Sequence, residues 1–350
     1  MGKMMKAVVF QEKGRFALEE RPRPVLRGPA DAIVRVTLAS ICSSDLHIKH
    51  GSVPRAKPGV VVGHEMVGVV EQIGDGVRTV RVGDRVTVNV ETFCGDCYFC
   101  RRGFVNNCTH EYGGWALGCR IDGGQAEYVR VPLADNGLDV IPEGATDEQA
   151  LFTGDILATG YWGAEIGGIR EGDTVLVIGA GPTGLCTMAC ARLYRPACII
   201  AADICEERLS LARRMGIADL TVNPAREDPG ETARRLTQGR GADVVFEVAG
   251  GADTFEMAWK AARPNGTVCV VAMYGQPQAL PLPDMYGKNL TFKTGGVDAN
   301  SCGKILELIR QGRLDTTPLV THRFPLGRAM EAYTLFESKA DGVIKVALEP

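Results

Sequence analysis

Four cysteines, Cys94, Cys97, Cys100 and Cys108, fall within 15 residues at intervals of two, two and seven. Four thiolates that close together can complete a tetrahedron around zinc with no open position, which is the arrangement of a structural site. Metal binding would then organise a loop with little apolar content of its own. The first three cysteines also have ferredoxin spacing, but the fourth ligand of such a cluster needs three intervening residues and a following Pro. Seven residues and Thr109 stand here instead, so the spacing favours zinc. A second set combines a thiol, a hydroxyl, imidazoles and carboxylates: Cys42, Ser44, Asp45 and His47 in one stretch, His64 and Glu65 in another. Taken singly, a Cys or His is more often core filler than a ligand. The residues alone therefore leave a catalytic metal and a packed core both open.

A third pattern concerns phosphate. Val175–Ile178 reads as an apolar strand and runs into Gly179-Ala180-Gly181-Pro182-Thr183-Gly184, followed by a helical stretch from Leu185 to Leu193. In this G-x-G-x-x-G context the first glycine allows a tight turn, the second lets the backbone approach a pyrophosphate, and the third lets helix pack on strand. The amides at the helix N-terminus then face the phosphates. Asp203 ends the next predicted strand, where a carboxylate can accept hydrogen bonds from the adenosine ribose hydroxyls. A 2′-phosphate would meet like charge there, so Asp203 points to NAD. Arg208, five residues on, is placed to cover the adenine or to lie on a solvated helix face, and capping of a helix is the structural alternative for Asp203.

The elements that must position these residues fall into two textures. Up to about residue 150, β-branched runs at Ala7–Phe10, Ala32–Leu38, Val67–Ile73, Arg85–Val90 and Gln125–Val131 are bounded by Gly, Pro or Asp and predict short antiparallel strands. Beyond it, apolar strands at Thr174–Ile178, Cys198–Ala202, Val244–Val248 and Thr267–Ala272 alternate with helical patterns such as Glu206–Met215, which predicts βαβ units and a parallel sheet. After about residue 295 a helix at Cys302–Gln311 and a strand at Gly342–Leu348 are expected to return to the first domain. At 350 residues the chain is long enough for two domains. Hydrophobic residues at 45% and charged residues at 23% describe a folded globular protein. With 39 basic and 42 acidic residues, a net of −3, no polyanion partner is indicated, and nucleic acid is not expected. The first six residues lack an apolar signal region, Lys6 stands where a myristoylation signal carries Ser or Thr, and no uncharged apolar run reaches the length of a membrane span. A cytoplasmic location is expected, where clustered cysteines are read as metal ligands and scattered ones as small core residues.

Gly63-His64-Glu65-x2-Gly68-x-Val70, the four-cysteine lobe, Gly179-x-Gly181-x2-Gly184 with Asp203, and Val82-Gly83-Asp84-Arg85-Val86 together make the chain resemble a zinc-dependent medium-chain alcohol dehydrogenase along essentially its whole length. The resemblance implies an α/β protein with a GroES-like β-rich catalytic domain and a Rossmann domain, a doubly wound parallel sheet that binds NAD. The implied boundaries are 1–152 for the catalytic domain with its zinc lobe, 153–294 for the NAD-binding domain and 295–350 for the return. It also implies two zinc ions per chain: a structural ion on the four cysteines and a catalytic ion on Cys42, His64 and Asp155, with Glu65 able to join. Many relatives carry Cys where Asp155 stands. Asp at that place, and Trp115 after two glycines, resemble the bacterial secondary-alcohol dehydrogenases. Relatives in that branch often lack the lobe and use NADP, whereas this chain keeps both the lobe and Asp203.

An alcohol loses hydride readily only as an alkoxide, and coordination to zinc lowers its pKa into an accessible range. The resemblance assigns Ser44 to take the substrate proton and His47 to deliver it to solvent, Asp45 to orient a ligand from behind, and Thr159, the backbone of 271–273 and that of 295–297 to contact nicotinamide. Trp115, Ile156 and Tyr274 would wall the substrate pocket. The implied reaction interconverts a secondary alcohol and a ketone with NAD. The alternatives are a polyol, amino-alcohol or threonine-type dehydrogenase of the same family, or a non-enzymatic zinc- and nucleotide-binding regulator, which the low basicity of the lobe disfavours. A small-molecule substrate and a homodimer or homotetramer are the expected partners.

Overall fold

The computed structural model describes residues 3–350. By close contact the chain falls into two units, one formed by the chain up to Ala158 together with Asp298–Pro350, the other by Thr159–Val297. The expected boundaries at 152/153 and 294/295 stand a few residues before these. The helix Ile156–Gly167 runs through the first division without a break, so no turn residue marks it.

In the first unit the strands are β1 (Met4–Glu12), β2 (Arg15–Pro22), β3 (Ala32–Ile41), β4 (Met66–Ile73), β5 (Arg85–Val88), β6 (Glu91–Thr92), β7 (Gly114–Trp115), β8 (Tyr128–Val131) and β9 (Leu138–Val140). The second unit contributes β10 (Thr174–Ile178), β11 (Cys198–Ala202), β12 (Leu220–Val222), β13 (Ala242–Glu247), β14 (Ala262–Val270) and β15 (Thr291–Thr294), and the chain closes with β16 (Val320–Pro325) and β17 (Lys345–Glu349).

The first unit is built on the sheet β16-β17-β3-β4-β5-β9, with β8 also paired to β3. All its pairings are antiparallel except β16 with β17. This is the GroES-like part of the fold. The run expected as one strand over 85–90 stops at Val88. Asn89 turns the backbone there, its side-chain oxygen accepting from the Glu91 amide at 2.9 Å, and the chain restarts as β6, paired with β7. Such a side-chain-to-backbone turn is a local alternative to the ladder that apolar patterning does not reveal.

The second unit is a Rossmann sheet in the order β12-β11-β10-β13-β14-β15, parallel throughout. Its central strand β10 is buried at all five positions, as a sheet covered on both faces requires. The edge strands β12 and β15 carry no apolar run, and all four residues of β15 are exposed, which is why periodicity missed both. Among the described residues no helix is long and apolar enough to cross a membrane.

Candidate active site

Cys42, His64 and Asp155 reach one another from three separate segments of the first unit. Cys42 stands at the end of β3 and begins the helix Ser43–Lys49. His64 lies just before β4, and Asp155 opens the helix Ile156–Gly167. Their ligand atoms all lie within 4.8 Å of one another, with Cys42 Sγ 3.7 Å from Asp155 Oδ2 and His64 Nε2 3.3 Å from the same oxygen. Asp155 is delivered by a tight crossing: the Val90 amide donates to the Gly154 carbonyl at 2.9 Å, and a side chain at Gly154 would collide with the Val88 carbonyl. The three are buried. Burial pushes the Cys42 thiol up, so a thiolate there needs a cation beside it. A sulfur, an imidazole nitrogen and a carboxylate oxygen form a donor set that suits zinc and leaves a fourth position open.

The groups behind the cluster are tied down in turn. Asp45 Oδ2 accepts from the Cys42 amide at 2.9 Å and from Gln125 Nε2 at 3.0 Å, and Tyr333 Oη donates to Gln125 Oε1 at 2.8 Å. Asp45 therefore both caps its helix and stands behind the site, where its Oδ1 lies 3.3 Å from His64 Nδ1. Glu65 does not join the three donors. Its Oε2 is taken by the Lys345 ammonium, and its Oε1 is buried without a hydrogen-bond partner. Ser44 Oγ is 3.5 Å from Cys42 Sγ, and His47 lies three residues further along the same helix, which puts the two on one face. His47 is half-buried, and burial, with the charge of His50 second, draws its pKa down.

Cys94, Cys97, Cys100 and Cys108 form the second donor cluster. Their sulfurs are 4.0 Å (Cys94–Cys100), 3.4 Å (Cys97–Cys100) and 3.6 Å (Cys108–Cys94) apart. A zinc tetrahedron with Zn–S of about 2.3 Å has sulfur–sulfur edges of about 3.8 Å, so the spacing fits. Backbone hydrogen bonds from Cys100 and Thr109 pull the Cys97 thiol down to about 5, while burial pushes Cys100 up to about 12. Four thiolates at these separations would repel one another, so their joint ionisation needs a cation among them.

The glycine-rich loop of the second unit divides its labour as the motif requires. Gly179 has φ +104°, a side chain at Gly184 would collide with the Gly179 carbonyl, and the nearest atom to a Cβ at Gly181 would be Arg208 Nη1 at 3.8 Å. The helix Pro182–Arg192 starts directly after Gly181 with Pro182 in its first turn and Thr183 next to it. Asp203 Oδ2 accepts from the Ala180 amide at 2.7 Å and Oδ1 from the Cys205 amide at 2.9 Å, so the carboxylate joins the loop to the start of the next helix. Arg208 lies 4.0 Å from Asp203, beside the loop. Thr159 is half-buried on the helix Ile156–Gly167. Trp115 packs against His64 in the first unit, Ile156 is buried, and Tyr274 packs on the core of the parallel-sheet unit with its hydroxyl 3.0 Å from Thr254 Oγ1.

Sequence reasoning missed Lys345, Gln125, Tyr333 and Glu91. Lys345 had a signal: it is the one charge inside the apolar run Val343–Leu348, and a charge in a buried strand needs a partner.

A cation site of mixed donors in one unit and a phosphate loop in the other define a metal-dependent dehydrogenase. The description "Alcohol dehydrogenase GroES-like domain" fits residues 28–141, and "Zinc-binding dehydrogenase" fits residues 182–310. An alcohol dehydrogenase of Cupriavidus necator is 40% identical, with all of both chains covered. Among solved structures, the alcohol dehydrogenase TADH from Thermus sp. ATN1 superposes with a TM-score of 0.91 at 39% identity, covering 99% of each chain. The alcohol dehydrogenase rspB from E. coli CFT073, complexed with NADH, gives 0.90 at 30% identity with all of both chains covered. The chain belongs to the zinc-dependent medium-chain alcohol dehydrogenase family and is an oxidoreductase.

Proposed function

We propose that this enzyme interconverts secondary alcohols and ketones with NAD, using a catalytic zinc on Cys42, His64 and Asp155 and a structural zinc on Cys94, Cys97, Cys100 and Cys108. The observation that carries the reading is the convergence of three buried donors of different chemistry within 4.8 Å. Zinc there supplies a Lewis acid that favours the alkoxide. The chain's own residues do the rest. Ser44 Oγ would take the substrate proton as it releases its own toward His47 on the same helix face, and His47 would then lose that proton to solvent. Asp45 holds the Cys42 amide and stands behind His64, which keeps Nε2 turned toward Asp155. Glu65, neutralised by Lys345, remains beside His64 as a reserve carboxylate. In the other unit the amides of Pro182–Arg192 and its glycine loop would hold the pyrophosphate of NAD, Asp203 would accept from the ribose hydroxyls, Arg208 flanks the loop, and Thr159 would contact the nicotinamide.

The same reading places the enzyme in the cytoplasm, where free thiols persist, as a homodimer or homotetramer. The exposed edge strand β15 and the exposed Leu280, Leu282 and Tyr286 before it support association through that edge.

Metal analysis and a screen of alcohols with NAD and NADP test the proposal together. About two zinc per chain and NADH formation from secondary alcohols are expected. A single zinc, or turnover only with NADP, would contradict the site or the cofactor.

A further inference from the structure

Glu91 and Trp115 sit directly opposite each other in the β6–β7 pair, so their side chains share one face of the ribbon. On that face the Trp115 ring meets His64 edge-on, with centroids 5.1 Å apart and planes at 67°, and Trp115 Nε1 is anchored to the Leu117 carbonyl at 3.0 Å. Glu91 therefore stands next to the aromatic wall of the metal-ligand cluster. It is 3% exposed, and its Oε2 has no hydrogen-bond partner. A buried acceptor left unpaired costs about 1–3 kcal/mol, and more when charged. The local turn does not require this carboxylate, since Asn89 makes it with its own side chain. The charges facing Glu91 are Arg55, Asp155, Asp298 and Arg120; burial outweighs them and pushes the carboxyl up to about 8. An aromatic wall with one buried, unpaired acceptor is built for a ligand that brings the missing donor.

We infer that Glu91 Oε2 accepts a hydrogen bond from a second donor on the substrate, so that the site prefers secondary alcohols carrying a hydroxyl or ammonium group near the carbinol carbon to simple alkanols. The inference rests on the alcohol-oxidising reading of the same site. A site that hydrogen-bonds a substrate group discriminates strongly against the analogue without it, because its own polar atom is then left unpaired. Arg55, whose guanidinium lies 5.7 Å over the Trp115 ring, borders the same wall.

The test compares 2-butanol, 2,3-butanediol and 1-amino-2-propanol on the zinc-loaded full chain with NAD and with NADP, in buffer more alkaline than the value of about 8 to which burial raises Glu91, where its carboxylate is ionised. The diol, the amino alcohol or both should exceed 2-butanol in kcat/KM by about tenfold or more. Glu91→Leu should bring that ratio toward one, chiefly by raising the KM of the polar substrate. Glu91→Gln keeps an acceptor oxygen without the charge, so it should retain a diol preference and lose an ammonium preference, which tells the two donors apart and serves if the Leu variant does not fold. Calorimetric affinities of the enzyme–NADH complex for the three alcohols should follow the same order. A ratio unmoved by either substitution overturns the inference and leaves the alcohol-dehydrogenase reading standing. Failure to oxidise any of the three with either cofactor overturns that reading instead.

Discussion

Glu65 and Lys345, 280 residues apart along the chain, meet as an ion pair with both side chains buried. Lys345 Nζ also donates to the Ile41 carbonyl at 2.7 Å, one residue before Cys42. The closing strand β17 is thus bound to both segments that carry the first two donors of the cation site. Removing one partner of such a pair strands the other charge in the interior. Lys345→Met should destabilise the first unit by about 3–5 kcal/mol, and Glu65→Gln in the same chain should recover part of the loss. Denaturation midpoints of the single and double variants check this; additive losses would show that the pair is not coupled.

Asp155→Ala removes one of three donors and should lower the zinc content from about two to about one per chain, with alcohol turnover lost. The retained ion should be the one on the four cysteines. Metal analysis beside a turnover assay reads both, and unchanged turnover would remove Asp155 from the ligand set.

Cys97→Ser breaks the lobe without touching the other cluster. The segment 94–108 is held by sulfur ligands more than by apolar contacts, so limited proteolysis should cut there in the variant and in chelator-treated protein, and leave the zinc-loaded chain intact.

Asp203→Ala should raise the KM for NAD by about tenfold, the worth of a lost charge-assisted hydrogen bond, and shift the NADP-to-NAD preference upward by removing the like charge that faces a 2′-phosphate. Steady-state kinetics with both cofactors measure it.

The half-burial of His47 lowers its pKa from the ordinary 6.5. In the proposed relay its neutral form accepts the proton released in alcohol oxidation, so kcat/KM should hold at neutral pH and fall only as the pH drops through a value below 6.5. His47→Gln should remove that acid limb from the pH profile.

Local patterns were legible and long-range ones were not. The four-cysteine lobe and the Gly179–Gly184 loop with Asp203 were readable because each is a short stretch whose spacing dictates its geometry: a tetrahedron of sulfurs, a tight turn onto a helix N-terminus. The alternation of strands and helices likewise announced a parallel sheet, since βαβ units leave their period in the chain. The edge strands β12 and β15 and the break at Asn89 escaped, because exposed edges carry no apolar run and a side-chain-to-backbone turn has no periodicity.

By itself, then, the sequence determined the two kinds of domain, the sulfur cluster and the phosphate loop. That Cys42, His64 and Asp155 converge came into view only through family resemblance. Only the tertiary structure decided that Glu65 is held by Lys345 and stays outside the three donors, that Gln125 and Tyr333 lock Asp45 behind His64, and that Glu91 stands unpaired beside Trp115. Those outcomes depend on which distant segments a sheet brings side by side, and on which buried charges find a partner there. Spacing along the chain does not encode either.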